Sequence, residues 1–232
     1  MTSIFSRIND SETHSKKWIV GYSLLFWVST RLLAILIVVA CKVIYENLGF
    51  SDDMFPSFGG TPKGASTIGK LIYSLATVSI IAPLIEETVF RLGLSFKKWQ
   101  IALSLAFIPI FIGWSDVKTL TWISGSLYIL SAVLVYFAVN RFTSQEFWSR
   151  LKENRMVESM WITSVAFGLV HLHAFSFISL EMLPYCLCMI LSPFFMGCAC
   201  AYLRVNLGFW WGVCMHIFNN IPGFITILVM SI

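Results

Sequence analysis

Two adjacent glutamates occur in a strongly apolar stretch of the chain. Glu86 and Glu87 lie near the end of the run IAPLIEETVFR (residues 81–91), and Arg91 follows Glu87 by one helical turn. Charged side chains are costly in hydrocarbon, and those found there usually face a bundle interior or a water-filled cavity. Two carboxylates and a cation at this spacing therefore indicate a functional site.

Two more polar groups occur in apolar segments far away in the sequence. His171 ends the stretch FGLVH (residues 167–171), and His216 is followed one turn later by Asn220. A buried glutamate can act as a general base, an imidazole can bind a metal ion or a developing negative charge, and an amide can donate to an oxyanion. Together these groups could hydrolyse a peptide bond, with water as the nucleophile.

The two glutamates are expected to have different roles. Arg91 lies at i+4 from Glu87, so it should hold Glu87 ionised in an ion pair. Glu86 lies about 100° away round the helix and is free of this cation, so it is the better candidate for the general base. His173 lies about 200° round the helix from His171, and we expect it to point away from the site.

The composition is that of a membrane protein. The 232 residues are 57% hydrophobic and 12% charged, whereas globular domains carry roughly 25% charged residues. The predicted spans are residues 18–45, 66–96, 99–114, 120–140, 159–177, 183–203 and 206–232. The fold class is therefore an all-α membrane protein, a single bundle of about seven transmembrane helices with a polar intramembrane site.

The loop charges predict the orientation of this bundle. Residues 1–17 would form a cytoplasmic tail, and residues 18–232 a multi-span membrane domain. With the N-terminus inside, the inside loops, including the charged linker 141–155, hold eleven Lys and Arg residues against four outside, as the positive-inside rule requires. The basic residues are spread over short loops, so the expected partner is the lipid bilayer and not nucleic acid. The six cysteines lie in apolar segments and are interpreted as small buried hydrophobes.

The polar stretches are predicted to meet at one depth in the membrane. Measured from the charged inner boundary at 1.5 Å per residue, Glu86, His171 and His216 all lie roughly 16 to 24 Å inside the bilayer. Pro83 precedes Glu86 by three residues and should kink its helix, which would open room beside the carboxylates. We therefore expect these groups to share one site.

The three motifs, in this order, resemble those of a known family. Glu-Glu-x-x-x-Arg at residues 86–91, Phe-x-x-x-His at 167–171 and His-x-x-x-Asn at 216–220 are similar to the motifs of the CPBP intramembrane proteases. That family includes CAAX prenyl endopeptidases of the Rce type and bacterial proteins tied to bacteriocin processing and self-immunity. The resemblance covers about residues 66–232. It implies an intramembrane endopeptidase, in a bacterial cytoplasmic membrane, that cleaves a membrane-associated peptide or a lipidated protein.

The resemblance also implies a role for each residue of the motifs. The catalytic set would be Glu86, His171, His216 and Asn220, with Glu87 and Arg91 in support. The use of a metal stays open at this point. Glu86, His171 and His216 could hold Zn²⁺ with one open position, or Glu86 could activate water without a metal.

Other functions remain open from the sequence alone. A proton-coupled transporter could use the same carboxylates and histidines as a relay, although no pair of broken helices recurs in corresponding halves. A non-catalytic immunity or binding protein could keep the same fold. The polar groups could also be interhelical contacts that only fix packing. Arg31, in the middle of the first span, lies outside the motifs and could either snorkel or pair with a carboxylate.

Overall fold

The chain folds as a bundle of helices. The computed structural model describes residues 15–49, 69, 72, 75–115, 121–174 and 180–230, and every regular element in this part of the chain is helical. The α-helices are α1 (Lys16–Asn47), α2 (Ala82–Phe90), α3 (Lys98–Ser115), α4 (Trp122–Phe142), α5 (Gln145–Val170), α6 (Leu183–Leu207) and α7 (Phe209–Met230). The predicted all-α fold class is confirmed. The predicted tail, residues 1–17, lies largely outside the described residues.

Three of these helices are long and apolar enough to cross a bilayer. They are α1 with 32 residues, α4 with 21 and α6 with 25, and α3 contains a shorter apolar stretch, Lys98–Gly113. A span needs about 20 apolar residues. In the apolar 18-residue stretch of each helix, 6% of the residues are buried inside the protein in α1 and 6% in α4, against 50% in α6. The apolar outer faces of α1 and α4 therefore suit contact with lipid, and α6 forms the centre of the bundle.

The central helix α6 packs against α1, α5 and α7. Its residues 196–203 are buried without a break, and this stretch includes Gly197, Cys198, Ala199, Cys200 and Ala201. Small side chains allow helices in a membrane to approach closely. A side chain at Gly197 would place its Cβ 2.6 Å from Nη2 of Arg91. The small residues of α6 thus make the space that the charged end of α2 occupies.

The cysteines only partly follow the prediction. All six are free; Cys186, Cys198 and Cys200 are buried, as expected for small hydrophobes, whereas Cys214 is exposed. Cys41 of α1 and Cys188 of α6 are partly buried, and their sulfur atoms lie 3.4 Å apart. This contact was not predicted, because it depends on the packing of two helices that are distant in sequence.

The charged segment at residues 141–155 is not the simple linker that the sequence predicts. The chain is helical up to Phe142 and again from Gln145, so most of the charged residues lie within α5. Ser144 caps this helix, because its hydroxyl accepts a hydrogen bond from the N–H of Phe147 at 3.2 Å. Such a cap lets a polar segment start a helix. The backbone leaves helical geometry once, at Arg155 (φ −137°, ψ 20°).

The helix that carries the glutamates changes its winding just before them. Leu75–Ile81 is a π-helix, and α2 begins at Ala82, next to Pro83. In a π-helix the carbonyl of one residue accepts from the N–H five residues later. For Val78 that residue is Pro83, which has no N–H. The distortion expected from Pro83 is therefore confirmed, and it frees the carbonyl of Val78 for another donor.

The other end of α2 is held by an arginine from the central helix. The side chain of Arg204 donates to the carbonyl of Arg91 at 3.1 Å, to that of Leu92 at 3.1 Å, and to Oε1 of Gln100 at 2.7 Å. These bonds satisfy carbonyls that the end of a helix leaves without intrahelical partners. They also fix the point at which the chain turns from α2 into the 3₁₀ segment Leu92–Ser95.

Candidate active site

Glu87 and Arg91 form a buried ion pair. Nη1 of Arg91 lies 3.7 Å from Oε1 of Glu87, and the two side chains are 0% and 1% exposed. This distance exceeds that of a good hydrogen bond, so the attraction is mainly between the charges. The guanidinium also lies over the ring of Phe167, 4.1 Å from its centroid, in a cation–π contact. The pairing predicted from the i+4 spacing is confirmed.

His216 connects the two glutamates. Its Nδ1 lies 2.9 Å from Oε1 of Glu87, and its Nε2 lies 3.4 Å from Oε2 of Glu86. Because an ionised carboxylate can only accept, Nδ1 must carry a proton and donate a hydrogen bond to Glu87. His216 is 4% exposed and lies on α7. The first and third motifs, which are 125 or more residues apart in the chain, therefore meet as the sequence predicts.

His171 stands at the end of α5, as the first residue of the 3₁₀ segment His171–Ala174. Its Nδ1 donates to the carbonyl of Phe167 at 2.8 Å, since a carbonyl can only accept. The ring of Phe167 contacts both imidazoles edge-on, with centroids 4.9 Å from His171 and 5.4 Å from His216. Phe167 thus packs between the two histidines, and Nε2 of His171 is left for other partners.

Asn220 lies one turn beyond His216 on α7. Its Nδ2 donates to the carbonyl of Val78 at 2.9 Å, and its Oδ1 accepts from Nδ2 of Asn219 at 2.9 Å. The carbonyl of Val78 is the one that the π-helix and Pro83 leave without a helical partner. The amide of Asn220 is therefore held between α7 and the segment that leads into α2.

These polar groups border one cavity of about 590 Å³, a size typical of small-molecule and peptide sites. Its polar lining consists of Arg31, Glu86, His171, His173, Ser192, His216, Asn219 and Asn220. Its apolar walls come mainly from α1 and α6, through residues such as Ile35, Val38, Met189 and Ile190. Glu87 and Arg91 do not line it. The structure therefore gathers Glu86, His171, His216 and Asn220 around one space, with Glu87 and Arg91 behind them.

The prediction that His173 points away from the site is wrong. His173 lines the same cavity as His171, and its Nδ1 lies 2.5 Å from the carbonyl of Val170. The predicted separation of 200° assumed that the α-helix continues past His171. Because α5 ends at Val170 and a 3₁₀ turn follows, the α-helical spacing does not apply to these residues, and both histidines line the cavity.

Asn219 and Arg31 line the cavity, although the sequence does not predict them as site residues. Asn219 accepts from Nη1 of Arg31 at 2.5 Å and from Nε1 of Trp27 at 2.9 Å, both on α1. Arg31 therefore neither snorkels nor pairs with a carboxylate within the described part of the chain. The position of Arg31 in mid-span was a signal of a polar contact, but the sequence could not identify its partner.

Zinc binding by Glu86, His171 and His216 stays a prediction. Within the described residues, no three His, Cys, Asp or Glu side chains form a group that could hold a metal ion. Nε2 of His216 lies 3.4 Å from Oε2 of Glu86, and Nδ1 of His216 lies 2.9 Å from Oε1 of Glu87.

A comparison with family models identifies the chain's relatives. The model described as type II CAAX prenyl endopeptidase Rce1-like matches residues 67–222, about two thirds of the chain. The chain belongs to the Rce1-like family. The matched segment contains all three motifs, which confirms the resemblance seen in the sequence, whereas α1 precedes it. No curated protein and no solved structure matches the chain significantly.

Membership of the Rce1-like family fixes the general class of the protein. It is a CAAX-protease-like intramembrane peptidase, at the level of the family, whose surroundings are a lipid bilayer and whose substrate is a peptide or protein. The apolar helices α1, α4 and α6 agree with an integral membrane protein.

Proposed function

We propose that this Rce1-like protein is an endopeptidase in which Glu86 activates a water molecule for attack on a peptide bond. The observation that carries the proposal is the separation of the two carboxylates. Glu87 is enclosed between Arg91 and His216, whereas Glu86 is the one acidic side chain among the described residues that lines the cavity. Only Glu86 can therefore reach a water molecule and a substrate in that space.

The reaction needs one proton acceptor and one oxyanion site. Glu86 removes a proton from water while the water oxygen bonds to the carbonyl carbon of the scissile peptide. The carbonyl oxygen becomes an oxyanion in the tetrahedral intermediate. Glu86 then returns the proton to the amide nitrogen, the C–N bond breaks, and a carboxylic acid and an amine leave. The nucleophile is consumed and Glu86 is regenerated.

Glu87 and Arg91 act on this reaction through His216. The cation of Arg91 keeps Glu87 charged, and Glu87 holds Nδ1 of His216. This bond fixes the orientation of the imidazole, so that Nε2 faces Glu86 at 3.4 Å. A proton on Nε2 would therefore face the carboxylate of Glu86, which must be ionised to act as a general base.

Asn220 and His171 are the groups that would face the oxyanion and the water. One N–H of the Asn220 amide is bound to Val78, and a carboxamide has a second N–H to offer. His171 has Nδ1 bound to Phe167, so a neutral ring offers Nε2 as an acceptor for water, and a protonated ring offers a donor. A donor aimed at the developing charge contributes about 10² to 10³ in rate.

The apolar walls of the cavity suit a substrate delivered from the membrane. Ile35 and Val38 of α1 and Met189 and Ile190 of α6 all line the cavity. On this basis we assign apolar or lipidated peptides as the substrate. From the loop charges and the family resemblance, we also propose that the N-terminus lies on the cytoplasmic side of a bacterial membrane. The test is cleavage of a membrane-delivered peptide by purified, reconstituted protein, with Glu86→Gln as the decisive variant.

A further inference from the structure

We infer that α1 contributes positioning residues to the active site: Arg31 and Trp27, acting through Asn219, fix the side-chain amide of Asn220. The inference rests on the proposed function, because it assigns a purpose to the orientation of Asn220. Arg31 and Trp27 lie outside the three motifs, and Asn219 is an unspecified position of the third. Arg31 and Trp27 also precede the segment that matches the family.

The first step is the orientation of Asn219. Its Oδ1 accepts from Nη1 of Arg31 at 2.5 Å and from Nε1 of Trp27 at 2.9 Å. Guanidinium and indole groups can only donate. An Asn219 amide turned by 180° would present N–H groups to these two donors, so the side chain has one allowed orientation.

The second step carries this orientation to Asn220. With its oxygen towards α1, Asn219 directs Nδ2 to Oδ1 of Asn220 at 2.9 Å. The oxygen of Asn220 is thereby turned towards Asn219, and its nitrogen towards Val78, whose carbonyl accepts at 2.9 Å. The chain of bonds starts at two groups that only donate and ends at one that only accepts. Every amide between them is fixed in direction.

This series of hydrogen bonds explains why a charged residue lies in the middle of α1. A mid-span arginine is costly in hydrocarbon, and the cavity lining places Arg31 beside Asn219 and Asn220. The cation polarises the amides in series, which strengthens the bonds of such a network. The remaining N–H of Asn220 is then kept facing the cavity as a donor, before any substrate binds.

The test uses a double-mutant cycle in the reconstituted protein. Arg31→Met and Asn219→Asp each interrupt this series of hydrogen bonds. Asn219→Asp does so by removing the donor to Asn220 while keeping an acceptor for Arg31. We expect each to lower kcat by about 10-fold to 100-fold with little change in KM, which is less than the 10² to 10³ of losing an oxyanion donor. Arg31→Lys, which keeps a cationic donor, should recover part of the loss.

The cycle separates positioning from other roles of Arg31. In an Asn220→Ala background, Arg31→Met should cause no further loss of kcat, because the group that it positions is absent. Lys42→Met removes a cation from the same helix, where Lys42 pairs with Glu46 at 3.4 Å, and should leave kcat unchanged. Losses that multiply in the Arg31→Met/Asn220→Ala protein, or a rise in KM alone, would overturn the inference.

A second readout does not depend on turnover. In ¹⁵N-labelled protein, the side-chain amide signals that disappear in Asn220→Ala belong to Asn220. We expect them to shift in Arg31→Met and in Asn219→Asp, and to stay in place in Lys42→Met. Unchanged signals in the first two variants contradict the inference, whereas turnover by Glu86→Gln contradicts the proposed function and leaves the amide result standing.

Discussion

Nε2 of His216 lies 3.4 Å from Oε2 of Glu86, so that a proton carried by either group would face the other. Nδ1 of the same ring is committed to Glu87 as a donor. If the proton is on Nε2, His216 is a cation and Glu86 a carboxylate; if it is on Glu86, the ring is neutral. Only the first state leaves Glu86 able to accept a proton from water. We therefore propose that catalysis uses the imidazolium–carboxylate form.

Loss of either partner of the buried Glu87–Arg91 pair should lower the stability of the protein. Removing one partner leaves an uncompensated buried charge, which generally costs about 3–5 kcal/mol. We expect Arg91→Met and Glu87→Gln each to destabilise the protein more than the double variant does. The measurement is equilibrium unfolding, or thermal inactivation, in one detergent. Additive effects of the two single changes would contradict the pairing.

The space around Arg91 should not tolerate a methyl group. At Gly197 a Cβ would lie 2.6 Å from Nη2 of Arg91 and 3.2 Å from Cα of Ser164. We expect Gly197→Ala to destabilise the fold by about 1–3 kcal/mol, as overpacked cores do. Gly21→Ala on α1 is the matched control, because nothing lies within 4 Å of its added Cβ. Equal thermal stability of the two variants would show that α6 does not enclose Arg91.

The packing of α1 against α6 can be tested by oxidation. Because the sulfur atoms of Cys41 and Cys188 lie 3.4 Å apart, a mild oxidant should cross-link them in a variant that keeps only these two cysteines. Both thiols should then fail to react with a maleimide polymer on a denaturing gel, and recover after reduction. A variant that keeps only Cys41 and Cys214 should stay reactive. Persistent labelling of the Cys41–Cys188 protein would place the two helices apart.

Chelation distinguishes hydrolysis by Glu86 without a metal from hydrolysis assisted by zinc. Because no three His, Cys, Asp or Glu side chains of the described residues form a group that could hold a metal ion, we predict that a strong zinc chelator leaves the turnover of the reconstituted protein unchanged. Metal analysis of the same sample provides the control. Loss of turnover on chelation, with recovery on added Zn²⁺, would mean that Glu86 and the histidines rearrange around a metal.

Much of this arrangement follows from residue types and spacing. The i+4 distance from Glu87 to Arg91 predicts the ion pair, and the apolar length of segments such as α1 and α6 predicts the bundle. The equal depth of Glu86 and His216 predicts their meeting. These inferences use only the spacing, the apolar length and the rise per residue of single helices, and these can be read directly from the sequence.

The failures arise where a helix ends or where two distant helices touch. His173 was assigned to the wrong side because α5 stops one residue before His171, and no strong helix-ending residue marks that point. The contacts of Asn219 with Arg31 and Trp27 join positions 188 or more residues apart. Such contacts depend on which helices become neighbours, and one sequence does not contain that information.

The proposed mechanism depends on Glu86 as the general base. The most direct measurement is cleavage of a membrane-delivered peptide by the reconstituted protein, comparing wild type with Glu86→Gln, which keeps the shape of the side chain and removes its basicity. We expect the variant to fold and bind substrate but to lose turnover by at least the 10² to 10⁴ typical of acid–base groups. His171→Ala and His216→Ala should be as severe, and Asn220→Ala milder. Turnover like that of wild type in Glu86→Gln would contradict the account and leave a transport or binding role for the same fold.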